Sequence, residues 1–145
     1  MMKEKKIWIV VFVVLTFMAI LTGCTGLPKM AEISIAANPN PVTYSTGDEN
    51  WQYLMSISES NGVGVTVTSF TFTDYNQEDE SVATAILDAE QFSGWFGTGY
   101  IPAFSSIQSE SEHSGTAVYT IVIVAGIDDN DNSVEATLRI DYLPE

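Results

Sequence analysis

The chain has 145 residues, with 5 Lys and Arg against 19 Asp and Glu, and a net charge of −14. A surface this anionic repels phosphate backbones, which excludes nucleic acid as a partner. Cys24 is the one cysteine, so no internal disulfide can form and stability has to come from a packed core.

Residues 1–23 read as an address rather than as part of a fold. Lys3, Lys5 and Lys6 precede residues 7–21, which are apolar except for Thr16. A positive n-region, an apolar h-region and small residues before a cleavage point make a secretory signal peptide. The run falls short of the about 20 residues that span a bilayer core, and Gly23, Gly26 and Pro28 follow it, so a transmembrane helix fits less well. Leu21-Thr22-Gly23-Cys24 resembles the lipobox of prokaryotic surface lipoproteins. The resemblance implies cleavage before Cys24, a diacylglycerol thioether on its sulfur, and anchorage in the cell envelope on the extracytoplasmic side of the membrane. Residues 24–30 would be the lipidated cysteine and a short tether, and residues 31–145 a single domain. The membrane is thus one expected partner, reached through Cys24.

Beyond the tether, Ile33, Ile35 and Ala37 alternate with Glu32 and Ser34, the period of two that marks a strand. Asn38-Pro39-Asn40-Pro41 interrupts it, because proline donates no ladder hydrogen bond. Residues 42–45 are expected to resume on the opposite sheet. Residues 51–58 alternate again, with Trp51, Tyr53, Met55 and Ile57 on one face. Asn61-Gly62 then predicts a hairpin. In the strand predicted over residues 64–74, Val65 and Val67 lie on one face but Phe70 and Phe72 on the other, so a β-bulge is expected near Ser69. An acidic loop over 76–80 leads to a strand over 81–87. Residues 88–101 read as an irregular aromatic and glycine-rich stretch, 102–107 as a short edge strand and 109–114 as a solvated loop. Residues 116–125 are apolar on both faces and predict a central strand. The turn over 128–132 joins it in a hairpin to a last strand, where Val134, Ala136, Leu138, Ile140 and Tyr142 alternate with Glu135, Thr137, Arg139 and Asp141.

Seven or eight short strands without a helix predict an all-β antiparallel β-sandwich. Gly115-Thr116-Ala117-Val118-Tyr119 resembles the start of strand F in immunoglobulin-like domains, where a tyrosine hydroxyl bonds to backbone upstream. The resemblance implies an immunoglobulin-like topology without the antibody disulfide, since Ile121 stands where antibody domains carry a cysteine. A jelly roll is the alternative sandwich.

The chemistry on offer is sparse. His113 is the one histidine, in a polar stretch, and no serine lies in a Gly-x-Ser-x-Gly elbow, so no enzyme is expected. Asp128, Asp129 and Asp131 offer hard oxygen ligands, but the spacing of a calcium loop fails at Ser133 and Arg139, so a hairpin turn is favoured over calcium and no cofactor is expected. Trp95, Phe96 and Tyr100 are the candidate ligand-binding residues. Their rings either present a platform to a glycan or protein partner or plug the open end of the core, and the plug is favoured. The expected function is a membrane-anchored, non-catalytic binding or adhesion module. A carbohydrate- or small-ligand-binding lipoprotein using the loop around Trp95 is the alternative, and an envelope hydrolase is the least favoured.

Overall fold

The computed structural model describes residues 27–144; the stretch read as a signal peptide and lipobox, with Cys24, lies outside them. Nine strands and one short helix follow in the order β1 (Ile33–Asn38), β2 (Val42–Ser45), β3 (Asn50–Glu59), β4 (Val65–Tyr75), β5 (Ser81–Asp88), α1 (Ala89–Phe96), β6 (Tyr100–Ile101), β7 (Ser106–His113), β8 (Tyr119–Asp128) and β9 (Ser133–Leu143). The strands form an open mixed sheet in the order β1-β3-β2-β9-β8-β4-β5, with β6 beside β4 and β7 beside β3.

β2 is the seam of this arrangement. Tyr44 and Ser45 pair antiparallel with Trp51 and Asn50, while Val42 and Thr43 pair parallel with Tyr142 and Leu143. The proline-broken segment therefore does resume against the other group of strands, as expected. Asn40 bridges the gap with its side chain. Its amide donates to the Arg139 carbonyl at 2.8 Å and its oxygen accepts from the Asp141 N–H at 3.1 Å, replacing ladder bonds the prolines cannot make. The parallel pair makes the sheet mixed, which corrects the purely antiparallel expectation, and nine strands replace seven or eight.

The inward faces meet in one core. Met55 and Ile57 of β3 lie in it with Val65, Val67 and Phe70 of β4, Val122 and Val124 of β8, and Ile140 of β9. The expected bulge is present: the β4–β8 register shifts between Val67 and Ser69, which lets Val67 and Phe70 both point inward. Opposite it, a Cβ at Gly126 would sit 2.6 Å from the Thr66 carbonyl oxygen, so the close approach of β4 and β8 requires glycine there. β8 is central, between β4 and β9, and forms the expected hairpin with β9.

Four local expectations are corrected. Asn61-Gly62 turns the chain, with Gly62 at φ 82°, but β3 and β4 do not pair, so the turn crosses between groups of strands rather than closing a hairpin. Residues 89–96 are helical. The polar residues 106–113 form β7 against β3, and the edge strand predicted over 102–107 is displaced into it. The Tyr119 hydroxyl donates to the Asp79 carboxylate at 3.0 Å rather than to backbone, because the 76–80 loop folds back over the start of β8. Its ring stacks on Tyr75 at 4.8 Å, with the Arg139 guanidinium 3.6 Å from the ring centre.

Candidate functional site

The aromatic stretch is built on α1. The Asp88 carboxylate accepts from the Gln91 N–H, and the Gln91 side chain accepts from the Asp88 N–H, a reciprocal cap on the first turn. Gly97 ends the helix at φ 74°, in the left-handed region. Phe92 and Phe96, four residues apart, share a face and are buried against Phe70 at 5.3 and 5.7 Å. Trp95 lies beside that face, 5.4 Å from Phe72. Its indole N–H donates to the Glu110 carbonyl at 3.2 Å, and the Ser109 hydroxyl donates to the Trp95 carbonyl at 3.1 Å. The helix thus clamps the outer edge of β7.

A cleft of about 810 Å³ opens at this clamp, lined by Gln52, Tyr53, Leu54, Trp95, Glu110, Ser111 and Glu112. Ser111 is only 7 % exposed, and its hydroxyl has no partner among the described residues. Beneath it lies a polar network inside an otherwise apolar core. The Thr120 hydroxyl donates to the Asp74 carboxylate at 2.5 Å, which leaves the Tyr142 hydroxyl, 3.0 Å away, as donor to Thr120. Burial, with Tyr142 and Asp74 nearby, holds the Tyr53 phenol protonated far above its ordinary range. His113 stacks flat on Tyr142 at 4.3 Å, and burial lowers its pKa against the opposing pull of Asp74, so the neutral ring is favoured. His113 is therefore half-buried rather than a solvated loop residue. Ser111 and His113 share the inward face of β7, yet among the described residues neither Ser111 Oγ nor His113 Nε2 has a hydrogen-bond partner, so the two are not hydrogen-bonded as a nucleophile–base pair.

The three candidate aromatics do not act together. Phe96 is core, Trp95 walls the cleft, and Tyr100 lies outside it, in β6. Tyr100 is 39 % exposed, and its hydroxyl donates to Asp129 at 2.8 Å over Gly64, where a Cβ would collide with it.

The acidic residues of the last hairpin separate as well. Asp128 is buried and accepts from the N–H groups of Ala31, Asn130 and Asn132 and from the Asn132 amide, at 2.9–3.1 Å. Burial alone would raise its pKa; the donors from Ala31, Asn132 and Asn130 outweigh it and hold it at about 2. Asp129 serves Tyr100, and Asp131 takes φ 62° in the turn. Among the described residues no three His, Cys, Asp or Glu are grouped to hold a metal ion.

Sequence reasoning missed Glu59. It ends the inward series Tyr53, Met55, Ile57 and is 3 % exposed. Its carboxylate accepts N–H groups from Glu32, Asn61, Gly62 and Phe104, knotting three segments together. An acid in an inward register position two residues before Asn61 was the available signal.

No protein-family model and no curated protein sequence matches the chain. Among solved structures, the ApaA protein of Bordetella pertussis aligns with a TM-score of 0.51 at 10% identity, over 79% of this chain and 96% of that one. The CARDB domain of the PF1109 protein from Pyrococcus furiosus, solved with di-metal ions, aligns at 0.40 and 11% identity, over 80% and 94%. At such identities the likeness to ApaA speaks to fold alone; the chain is similar to these proteins in its β-rich architecture.

Proposed function

We propose that the protein is a lipid-anchored, non-catalytic binding module with an immunoglobulin-like β-sandwich, and that it takes a hydroxylated ligand of the saccharide class in the cleft beside Trp95. The cleft carries this reading: Trp95, Gln52 and Leu54, with Glu110 and Glu112, line a volume of ligand size. The switch of β2 from β3 to a parallel pairing with the last strand supports the immunoglobulin-like topology. The carboxylates disfavour phosphorylated or carboxylated ligands and admit neutral or amine-bearing ones. The unpaired Ser111 and His113 argue against hydrolysis.

The lipobox supplies the anchor, and the polarity of the domain suits it. The Lys29 carbonyl accepts from Asn130 and the Met30 carbonyl from Asn61, so the tether leaves from the end of the domain that holds Asp128 and Glu59. With Cys24 in the bilayer, the cleft lies about 20 Å further out, six residues along β3 from Glu59 to Tyr53.

Cys24→Ala is expected to leave the protein uncleaved by the lipoprotein peptidase and free of the detergent phase. Normal size and detergent partitioning in the variant would overturn the anchor. The cleft is tested by titrating neutral, amine-bearing and anionic oligosaccharides against Trp95 emission in a Trp51→Phe background. Neutral or amine-bearing members should shift the emission, anionic ones should not, and Trp95→Ala, followed by calorimetry, should weaken binding about tenfold, the loss of one aromatic contact. Emission unmoved by every member of the panel would sink the cleft as the site.

A further inference from the structure

We propose that the outer edge of β5 is a docking site for an extended segment of a partner protein, one with an uncharged, β-branched centre and Lys or Arg at both ends. β5 ends the strand order: it pairs with β4, and among the described residues nothing pairs with its other edge. Of its eight residues only Leu87 is half-buried, while Val82 is 53 % and Ile86 68 % exposed. Such an edge offers a row of unpaired N–H and C=O groups, and soluble proteins ordinarily blunt it with a lysine, a proline or a bulge. From Ser81 to Leu87 this one carries neither charge nor proline, and its one register irregularity, at Val82, leaves Ala83–Leu87 regularly paired with β4.

The face behind the edge has the same character. Thr71 pairs with Ile86 on one side and Ile123 on the other, and Thr73 with Thr84 and Ile121. These residues make a strip of Ile and Thr without a charge, on a chain of net charge −14. Depletion of charge is the compositional mark of an interface centre. A strand added to β5 would extend the sheet with main-chain hydrogen bonds and set alternate side chains beside Ile86 and Thr84, the strand-addition mode of peptide recognition.

Charge decides the occupant. Glu78, Asp79 and Glu80 precede β5, Asp88 is its last residue and Glu90 follows it. Two copies meeting antiparallel along β5 would oppose Glu78–Glu80 of one to Asp88 and Glu90 of the other; meeting in parallel, they would oppose each cluster to itself. Either way like charges face each other with no basic residue between them. A strand with basic ends meets an acid at each end instead.

The test uses the mature domain and three synthetic peptides: Lys-Lys-Thr-Val-Thr-Val-Thr-Lys-Lys, the same centre with glutamate ends, and the lysine-ended peptide with proline at its central position. The lysine-ended peptide should protect β5 amides from hydrogen exchange and bind about tenfold tighter than the glutamate-ended one, an advantage that salt reduces. The proline should abolish protection. Ile86→Lys and, separately, Ala85→Pro should weaken binding about tenfold with the melting transition retained. If Ala85→Pro does not fold, Ile86→Lys decides alone, since a lysine on an exposed face leaves the strand intact. The proposal is overturned if the lysine-ended peptide does not bind at millimolar concentration, if the proline-containing peptide binds equally well, if protection falls outside β5, or if the domain self-associates through β5 in a way that Ile86→Lys abolishes.

Discussion

Phe70→Ala is expected to remove about 3–5 kcal/mol of stability, the largest loss from any single truncation in this domain. The ring is fully buried and meets four others, Phe72 at 4.7 Å, Phe92 at 5.3 Å, and Trp95 and Phe96 at 5.7 Å each. Deleting it forfeits the transfer free energy of the ring and leaves a void walled by aromatic side chains, which are too rigid to collapse into it. The loss also travels. Phe92 and Phe96 seat α1 on Phe70, and α1 holds Trp95 against β7. A loosened helix should therefore redden the Trp95 emission before global unfolding. Against a typical domain stability of about 5–15 kcal/mol the variant should be near the limit of folding, so Phe70→Leu serves as the milder companion. Chemical denaturation checks both. A Phe70→Ala midpoint close to wild type would mean that the aromatic cluster does not carry the core.

Strands with an apolar period of two were legible from the sequence, and so was their connectivity where a chemical signal marked it. The proline break before β2, the face change at Ser69 and the β8–β9 hairpin are all in place. Two elements were not legible as strand or helix. β7 reads Ser-Ile-Gln-Ser-Glu-Ser-Glu-His, and its inward positions, Ile107, Ser109, Ser111 and His113, alternate in space but not in hydrophobicity. Its register comes from pairing with β3, a long-range term no local window contains. α1 was obscured by Gly94 and by aromatics that suit strands equally well. The reciprocal Asp88–Gln91 cap and Gly97 past the last turn were readable signals, three residues apart and one residue beyond.

The candidate site was legible in one residue. Trp95 does wall a cleft, but the cleft is completed by β3 and β7, whose pairing was invisible, and Phe96 and Tyr100 serve the core and the Asp129 turn. The unpaired hydroxyl of Ser111 is a property of packing rather than of sequence. Tyr119 was singled out by its resemblance to a tyrosine corner, yet its partner is a side chain of the acidic loop, because Asp79 at φ 59° is carried to the hydroxyl by a tight turn that Asn76 organises through the N–H groups of Glu78 and Glu80.

The domain is expected to be acid-labile, with Glu59 as a principal cause. Burial of its carboxylate would raise the pKa, but the N–H groups of Phe104, Asn61, Gly62 and Glu32 all point at it, and together they bring it from 4.5 to about 2. The folded state thus favours the ionised form more than the unfolded chain does. The resulting stability is fully present above the unfolded value of 4.5 and is lost as pH falls through about 2. Asp128 adds a contribution of the same sign, with 3.8 in place of 4.5. The melting temperature should accordingly hold steady from neutral pH to about 5 and fall steeply below it. Glu59→Gln tests this more sharply than truncation does, because it keeps the shape. One amide oxygen can still accept, but the NH₂ group now faces donors, and at least one buried backbone N–H loses its partner. The cost at pH 7 should be about 1.5–3 kcal/mol, the range for hydrogen bonds to a charged group. Near pH 2 the wild-type carboxylate is itself half protonated, so the two proteins should converge there. A Glu59→Gln variant whose melting temperature runs parallel to wild type from pH 7 to pH 2 would show that the knot at Glu59 is held by shape rather than by charge.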